Sequence, residues 1–274
     1  IKLMTDYKAI HGKTVQSLTS DPDTAAYEGQ IWFNSTSSDY KTITKIAGAW
    51  STGGTLNTAR GLMGAAGTQT AGLGFGGNTA PVTANSEEYD GSAWAEGDNL
   101  NGARSQLGGA GTQTAAVGFS GTPSPLAADS EEYNGSSWTE GNDMNTGRRN
   151  GAEAGTQTAA MAITGGSPDV ANVEHYNGTS WSEGADVNTA RFVLPGCGTN
   201  TAAIIAGGDP NVASTESYDG SSWTEVSDLN TGRSDCGMAG SSDAASFFGG
   251  SVGGTRQTAN EFWDGAAWTE VADI

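Results

Sequence analysis

The side chains that most often carry out catalysis or bind metals are scarce in this sequence. Its 274 residues include two histidines, His11 and His175, and two cysteines, Cys197 and Cys236. The histidines stand 164 residues apart without a recognisable ligand pattern, so we interpret His175 as a surface substitution at a variable repeat position. The cysteines are interpreted as free thiols in packed strands, because their different offsets from the preceding arginines predict that they face different ways.

Paired carboxylates are a second arrangement that could do chemistry. Glu87-Glu88 and Glu131-Glu132 each place two acidic residues side by side, and two carboxylates form the catalytic pair of most glycosidases. Both pairs lie in segments with strand composition, where adjacent side chains point to opposite faces of a sheet. The two members of a pair therefore cannot face one sugar ring. The sequence predicts a protein that is not an enzyme, with no catalytic residue, no cofactor and no metal site.

The charge balance restricts the partners. Asp and Glu number 31 against 12 Lys and Arg, which gives a formal net charge of −19. Such a chain would repel a phosphate backbone over most of its surface. Its apolar runs are all shorter than the ~18 residues of a membrane span. We therefore expect neither nucleic-acid binding nor membrane insertion.

A repeat organises most of the chain. Six tryptophans follow one another at spacings of 44, 44, 43, 42 and 45 residues: Trp50, Trp94, Trp138, Trp181, Trp223 and Trp268. Each of the last five ends a similar phrase, such as EEYDGSAW or EEYNGSSW, and a second phrase, such as LNTAR or LNGAR, precedes the next unit. A third phrase, AGTQTA, is followed by an apolar stretch and by Gly-Gly or a close variant in three units.

The composition of one unit indicates strands. Its segments are short, rich in Thr, Tyr, Phe and Trp, and separated by Gly, Asn, Asp and Ser. Asp90-Gly91 and its four equivalents separate two such segments, where a tight hairpin needs positive φ at its central residues. Each unit therefore predicts four antiparallel strands, which we name a to d. Four strands every 40 to 50 residues are typical of a β-propeller blade.

The repeated order of Gly-Gly, Tyr-Asp/Asn-Gly, Trp and Arg, from about Trp50 to Trp268, resembles the kelch repeat. Kelch repeats form β-propellers, so the resemblance implies an all-β propeller of four-stranded blades. It implies no particular activity, because kelch propellers serve many functions.

A narrower resemblance concerns the combination of AGTQTAA, EEYNGSSW and LNTAR, preceded by the segment from Ser17 to Trp50. This combination resembles repeat-containing virion structural proteins of marine bacteriophages, especially those of cyanophages. The resemblance implies a non-enzymatic structural protein of the extracellular virion, in a tail, fibre or capsid appendage. Its expected partners are other virion proteins, further copies of itself, and a glycan or protein of the host surface.

The predicted contact regions are the variable loops between strands b and c, such as Asn78–Asn85, Thr122–Asp129 and Ser167–Asn172. The alternative function is a secreted or surface glycan-binding β-propeller of a bacterium, with the repeated aromatic residues as a platform for sugars.

Three repeated positions are assigned structural roles. We expect the arginine of each unit to pair with the first glutamate of the strand-c phrase, and the tryptophan to pack between blades. The arginines are Arg60, Arg104, Arg148, Arg191 and Arg233; the glutamates are Glu87, Glu131, Glu174, Glu216 and Glu261; the tryptophans are Trp94, Trp138, Trp181, Trp223 and Trp268.

The number of blades depends on the amino-terminal segment. Gln30–Asn34 and Tyr40–Ile46 align with strands b and c of a divergent unit, and Lys13–Leu18 is the best candidate for its innermost strand. We therefore predict six blades, with residues 1–28 as a leader or attachment segment that supplies this strand and residues 29–274 as the propeller. The alternative is five blades with residues 1–48 as a separate arm.

The charges are unevenly divided. Residues 1–45 hold five lysines and five acidic residues, whereas residues 46–274 hold seven arginines and 26 acidic residues. The sequence therefore predicts an acidic propeller that is attached through the leader, with Lys2, Lys8 and Lys13 approaching an acidic neighbour.

Overall fold

The computed structural model describes residues 16–18, 31–36, 38–42, 52–123, 128–166 and 169–274. The chain divides into two compact units, Ile1–Gly48 and Ala49–Ile274. The predicted boundary follows residue 28 for six blades and residue 48 for the five-blade alternative. Several residues of the predictions lie outside the described residues: Lys2, Lys8, Lys13, His11, Trp50 and parts of the second and third variable loops.

The amino-terminal unit contains a three-stranded sheet of β1 (Gln16–Leu18), β2 (Ile31–Asn34) and β3 (Asp39–Thr42). The predicted pairing of the first two segments is confirmed, with Gln16 opposite Trp32, but these strands run parallel. Strands a and b of a propeller blade are antiparallel, so this sheet differs from the predicted sixth blade. The linker of residues 19–30 is long enough for the crossover that a parallel pair needs.

The second unit contains five four-stranded antiparallel sheets, each with its strands in chain order. The first is β4 (Gly64–Thr68), β5 (Ala71–Phe75), β6 (Ser86–Tyr89) and β7 (Trp94–Glu96). The second is β8 (Gly108–Thr112), β9 (Ala115–Phe119), β10 (Ser130–Tyr133) and β11 (Trp138–Glu140). The third is β12 (Ala152–Thr156), β13 (Ala159–Gly165), β14 (Val170–Tyr176) and β15 (Trp181–Glu183).

The fourth sheet is β16 (Gly196–Thr199), β17 (Ala202–Ala206), β18 (Thr215–Tyr218) and β19 (Trp223–Val226). The fifth has a small additional hairpin, β22 (Ser251–Val252) and β23 (Thr255–Arg256), inserted between its second and third strands. Its four main strands are β20 (Gly237–Ser241), β21 (Ala244–Phe248), β24 (Asn260–Trp263) and β25 (Trp268–Val271). The chain is thus a β-propeller whose described residues form five four-stranded blades, the count that the sequence analysis gave as its alternative to six.

The inner strands of successive blades pack side by side in the order β4, β8, β12, β16 and β20. They approach so closely that a Cβ atom on Gly109 would lie 2.6 Å from the carbonyl oxygen of Ala65. This contact explains why the inner strands consist mostly of Gly and Ala. Within the described residues, the two end members of the series, β4 and β20, are not packed against each other in this way.

The hydrophobic core lies between neighbouring blades. One cluster joins Leu73 and Phe75 of the first blade to Leu107, Tyr133 and Trp138 of the second. Similar clusters join the second blade to the third, the third to the fourth and the fourth to the fifth. Each blade is therefore held by apolar contacts with the next one along the chain.

The connections between strands c and d are tight turns at Asp-Gly or Asn-Gly, as predicted, but only the glycine has the predicted positive φ. Four residues, Asp90 to Ala93, separate β6 from β7, and in this loop only Gly91 has a positive φ, of 93°. The Asp90 carboxylate accepts hydrogen bonds from the backbone N–H groups of Ser92 and Ala93. Asn134 makes the same two bonds in the second blade. The side-chain oxygen at this position thus closes the turn, which explains why both Asp and Asn occur there.

Candidate functional site

A buried ion pair recurs in every blade. The arginine enters the blade just before strand a, and its glutamate partner lies on strand c of the same blade, as the sequence analysis had assigned them. The nitrogen–oxygen distances are 2.5, 2.7, 2.7, 3.2 and 2.7 Å for Arg60–Glu87, Arg104–Glu131, Arg148–Glu174, Arg191–Glu216 and Arg233–Glu261. All ten side chains are at most 4% exposed, so each charge depends on its partners inside the protein.

The second blade shows how these charges are satisfied. Arg104 donates to Glu131 Oε1 at 2.7 Å through one terminal nitrogen and to the Asp129 carbonyl at 2.8 Å through the other. Glu131 Oε2 accepts from both the backbone N–H and the side-chain amide of Asn101, at 2.7 and 2.8 Å. The Asn101 amide also donates to the carbonyl of Trp138. One Arg–Glu–Asn unit therefore fastens the entry segment of a blade to its strands c and d.

The asparagine is the member of this unit that sequence reasoning missed. It occupies the second position of all five phrases that end in the repeat arginine, and it makes the same bonds in each blade: Asn57, Asn101, Asn145, Asn188 and Asn230. Its recurrence in every phrase was the available signal. An asparagine was needed because an aspartate beside the buried glutamate would repel it and could not donate.

The fourth of the five units deviates from the common geometry, and the glutamate of the first has a lowered pKa. In the fourth blade, Arg191 and Glu216 are 3.2 Å apart, and neither terminal nitrogen of the arginine makes a hydrogen bond to a described residue. In the first blade, burial acts to raise the pKa of Glu87, but hydrogen bonds from the backbone of Asn57, the Arg60 side chain and the backbone of Thr58 outweigh it and lower the pKa from its ordinary value of 4.5. Glu87 therefore remains ionised at neutral pH.

The repeat tryptophans connect successive blades. Trp138, Trp181, Trp223 and Trp268 are buried, whereas Trp94 in the first blade is only half-buried. The indole N–H of Trp138 donates to the Ser86 hydroxyl of the preceding blade at 3.0 Å, and Trp181 and Trp268 donate to Ser130 and Thr215 in the same manner. Trp94 instead donates to the Gly54 carbonyl. Four of the five tryptophans thus pack between blades, as predicted, and Trp94 is the exception.

Two positions break this hydrogen-bond series. The acceptor position of the third blade is Val173, which has no hydroxyl, and the buried indole N–H of Trp223 accordingly has no partner in the described part of the chain. The same position in the fifth blade is Asn260, whose side-chain oxygen is buried and unpaired among the described residues.

The second glutamate of the strand-c phrase also connects blades. Glu88 accepts the hydroxyl of Tyr133 at 2.5 Å, and Glu132 accepts that of Tyr176 at 2.6 Å. These tyrosines have pKa values raised by burial and by the bonded carboxylates. Glu87 and Glu88 contact different partners, as expected for adjacent residues of a strand.

His175 occupies this same inter-blade position in the third blade. Its ring is half-buried and lies 5.7 Å from that of Tyr218, and burial lowers its pKa. The interpretation of His175 as a surface substitution is therefore wrong. The sequence alone did not show that the equivalent glutamates, Glu88 and Glu132, are bonded to the next blade.

The Thr-Gln-Thr phrase has a structural role that the sequence analysis did not assign. The Gln113 amide donates to the carbonyls of Gly72 and Tyr89 in the preceding blade, at 3.1 and 2.8 Å. Gln157 makes the equivalent bonds to Ala116 and Tyr133. The hairpin between strands a and b is thereby fastened to the neighbouring blade.

The cysteines are free, as predicted. Cys197 is buried on β16, whereas Cys236 is half-buried and immediately precedes β20. Burial raises the pKa of both thiols to about 12. Neither thiol is therefore a ready nucleophile at neutral pH.

The two ends of the blades differ in chemistry. Because the strands of a blade alternate in direction, the a–b and c–d hairpins lie at one end, and the b–c loops and the d–a connections lie at the other. The first end repeats the Thr-Gln-Thr and Asp/Asn-Gly phrases. At the second end, the b–c loops read NTAPVTAN, TPSPLAAD, SPDVAN, DPNVAS and SVGGTRQTA. We call this second end the variable face.

The described parts of the variable face are accessible. Exposed residues include Thr79 in the first b–c loop, Asp169 in the third, Asp209 in the fourth and Arg256 in the extra hairpin of the fifth. The loops are anchored at their bases by backbone bridges to the d–a connections, for example between Gly61 and Asn78. Variable sequence is therefore presented on a rigid base, which is a common arrangement for binding loops.

Neither protein-family models nor curated proteins match this chain. No helix long and apolar enough to cross a membrane occurs in the described part of the chain. Across the same residues, no group of three or more His, Cys, Asp or Glu side chains is arranged to hold a metal ion.

Proposed function

We propose that this chain is a non-enzymatic structural and interaction protein, a kelch-like β-propeller of a bacteriophage virion that binds its partners through the variable face. The observation that carries the proposal is the contrast between the two ends of the blades. The repeated polar side chains bond to one another inside the propeller, in the Arg–Glu–Asn units and in hydrogen bonds between blades. The exposed b–c loops, in contrast, differ in sequence from blade to blade.

The virion assignment is supported by the resemblance of the repeat phrases to virion structural proteins of marine bacteriophages. Other virion proteins and a host-surface glycan or protein are the proposed partners. The alternative, a glycan-binding propeller with repeated tryptophans as a platform, has less support because four of these five side chains are buried. A sugar would have to displace the inter-blade contacts to reach their rings.

Blocking one end of the blades at a time tests the role of the variable face. A single cysteine replaces Thr79 or Thr255 on the variable face, or Ser92 or Ser221 at the opposite end, all of which are exposed. Each variant is coupled to a bulky maleimide. The native Cys197 and Cys236 have pKa values of about 12 and should react slowly. The readouts are incorporation into particles and adsorption of the labelled protein to host cells.

We expect a block on the variable face to abolish adsorption to host cells and to leave incorporation intact, because attachment to the particle is predicted to run through the leader. A block at the opposite end should preserve both. The reverse pattern would contradict the variable-face assignment. Mass spectrometry of purified particles tests the virion assignment separately. If the protein is absent from particles and binds to a glycan array, the result would favour the alternative of a glycan-binding propeller.

A further inference from the structure

The turns between strands c and d differ from blade to blade in one chemical group. Their first residue is an aspartate in three blades and an asparagine in two, and a glycine always follows: Asp90, Asn134, Asn177, Asp219 and Asp264. In every copy one side-chain oxygen accepts hydrogen bonds from the backbone N–H groups two and three residues later, at 2.8 or 2.9 Å. The turn therefore uses an oxygen that a carboxylate and an amide both supply.

The amide nitrogen of the two asparagines adds little to the turn. That of Asn134 makes a long contact with the Ser137 hydroxyl, at 3.3 Å, and both asparagines are exposed to solvent. In the first blade, where a carboxylate replaces the amide, Asp90 also accepts the Ser92 hydroxyl. This bond and those from the backbone lower the pKa of Asp90 to about 2. An ionised aspartate is thus well accommodated at this position.

An asparagine that precedes glycine can lose its amide nitrogen without an enzyme. The backbone nitrogen of the glycine bonds to Cγ of the asparagine and closes an imide ring, and ammonia leaves with the proton of the glycine N–H group. Water then breaks one of the two C–N bonds of the ring, which gives aspartate or isoaspartate. Glycine favours the first step because it has no Cβ atom to obstruct the approach.

The attacking nitrogen is available in both asparagine turns. Gly135 and Gly178 have φ of 87° and 86°, and neither N–H group donates a hydrogen bond to a described residue. We propose that Asn134 and Asn177 are sites of spontaneous deamidation, where the aspartate product reproduces the Asp-Gly turn of the other three blades. Each conversion adds one negative charge at the end of the blades opposite the variable face.

The same dipeptide at Asn101-Gly102 is held in a different way. Asn101 is also exposed, so access to solvent does not distinguish it from the asparagines of the turns. Its amide nitrogen, however, donates to Glu131 Oε2 at 2.8 Å and to the carbonyl of Trp138 at 3.4 Å. Moving Cγ toward the nitrogen of Gly102 breaks both bonds and takes a donor away from a buried carboxylate. The Arg–Glu–Asn unit therefore protects Asn101.

The fourth Asn-Gly pair of the chain, Asn150-Gly151, is fixed through its backbone. The N–H group of Asn150 donates to the Gln106 carbonyl at 3.1 Å, and its own carbonyl accepts from the Val193 N–H group at 2.7 Å. Ring closure rotates the bond that carries this carbonyl, so it breaks the contact with the fourth blade. The bonding of the folded chain thus divides four identical dipeptides into two reactive and two protected pairs.

Incubation of the whole folded protein at mildly alkaline pH, followed by peptide mapping with mass spectrometry, tests the proposal. The replacement of NH2 by OH changes the mass of each peptide that has reacted. We expect Asn134 and Asn177 to react at least about tenfold faster than Asn101 and Asn150, because the protected pairs must first break hydrogen bonds. Incubation in concentrated urea is the control, in which all four pairs should react at similar rates.

Two outcomes of this comparison would overturn the proposal. The first is a folded protein in which Asn134 and Asn177 react no faster than Asn101 and Asn150. The second is a folded protein in which Asn134 and Asn177 do not react, although they react in urea. Either result would mean that the c–d turns do not leave these side chains free to close the imide ring.

A pair of variants tests whether the fold accepts the product. Asn134→Asp should unfold at the urea midpoint of the wild type or above it, because Ser136 occupies the position from which Ser92 donates to Asp90. Asn101→Asp makes the same chemical change in an Arg–Glu–Asn unit. It should lower the midpoint or prevent folding, because it places a second carboxylate beside the buried glutamate and removes a donor. A midpoint of Asn134→Asp below that of the wild type would contradict an equivalent turn.

Discussion

At the scale of single residues, position 173 isolates the contribution of one inter-blade hydrogen bond. Val173 cannot accept a hydrogen bond from the Trp223 indole, which is unpaired within the described ranges, whereas Thr215 accepts from Trp268 at the same position one blade later. Threonine and valine have the same shape, so exchanging them changes the hydroxyl group with little change in volume. We expect Val173→Thr to raise the free energy of unfolding by about 1 kcal/mol.

The reverse exchange is the matched control. Thr215→Val should lower the free energy of unfolding by about 1–3 kcal/mol, because it leaves a buried donor unpaired. Urea unfolding followed by tryptophan fluorescence measures both changes. If Val173→Thr destabilises as much as Thr215→Val, the indole bonds do not contribute to stability in the way that the geometry indicates.

Removing one member of a buried ion pair should change the free energy of unfolding more than removing an indole hydrogen bond does. Arg104→Met removes the cation that faces Glu131, and the Asn101 bonds alone cannot compensate a buried carboxylate. We expect a loss of about 3–5 kcal/mol in the free energy of unfolding. The double variant Arg104→Met, Glu131→Leu should recover part of this loss. A double variant that is less stable than the single one would show that the charge on Glu131 is not the cause.

The role of a residue could be predicted from the sequence only where a repeated residue had an obvious chemical partner. Arg104 and Glu131 recur together and have opposite charges, so their pairing could be inferred. Asn101 recurs just as regularly, but its partners are a carboxylate and a backbone carbonyl that the fold brings together. The hydroxyl at Ser86 and the carboxylate at Glu88 act on the next blade, and a linear sequence does not show which face of a strand meets that neighbour.

At the scale of the elements, one position at the end of strand b offers a test of backbone conformation. Its φ lies between 57° and 71° in every blade, and the residue is Gly76, Ser120, Thr164, Gly207 or Gly249. A β-branched residue is disfavoured at φ 57°, and the buried hydroxyl group of Thr164 has no hydrogen-bond partner among the residues that the structure describes. Ser120 avoids this second cost because its hydroxyl donates to the Arg148 carbonyl.

We therefore expect Thr164→Gly to stabilise the third blade. Relief of the left-handed conformation contributes about 1–2 kcal/mol, and the greater freedom of glycine in the unfolded chain offsets about 0.4–1 kcal/mol. Thermal or urea unfolding should show the net gain. Gly207→Thr is the control, and it should be strongly destabilising because its Cβ would lie 2.6 Å from the Arg233 carbonyl oxygen. A loss of stability in Thr164→Gly would mean that its methyl packing outweighs the strain.

Element boundaries followed from the repeat wherever the repeat is regular. The four strands per unit, and β2 at Ile31–Asn34, lie where periodicity and the turn residues placed them. The direction of β1 could not be inferred, because a short alternating segment pairs equally well in either sense. Its long connection to β2, rather than its composition, permits the parallel arrangement.

At the scale of the whole molecule, charge is the property with the broadest consequence. Residues 46–274 hold seven arginines against 26 acidic residues. Five of those arginines are buried in ion pairs with glutamates. Arg149 and Arg256 are the remaining arginines of this region, so the accessible charge is almost entirely negative. Mutual repulsion should keep separate propellers apart and should also oppose the compact state.

Raising the salt concentration should therefore stabilise the propeller. The screening length falls from about 30 Å at 0.01 M to about 8 Å at 0.15 M, so repulsion between blades weakens while the buried Arg–Glu pairs, which are shielded from solvent, change little. We expect the thermal unfolding temperature to rise with NaCl over this range. A variant with Glu96, Glu140 and Glu225 replaced by Gln removes exposed charges from three blades and should show a smaller rise. A fall in unfolding temperature with salt would instead indicate that exposed ion pairs, and not repulsion, dominate the electrostatics of the molecule.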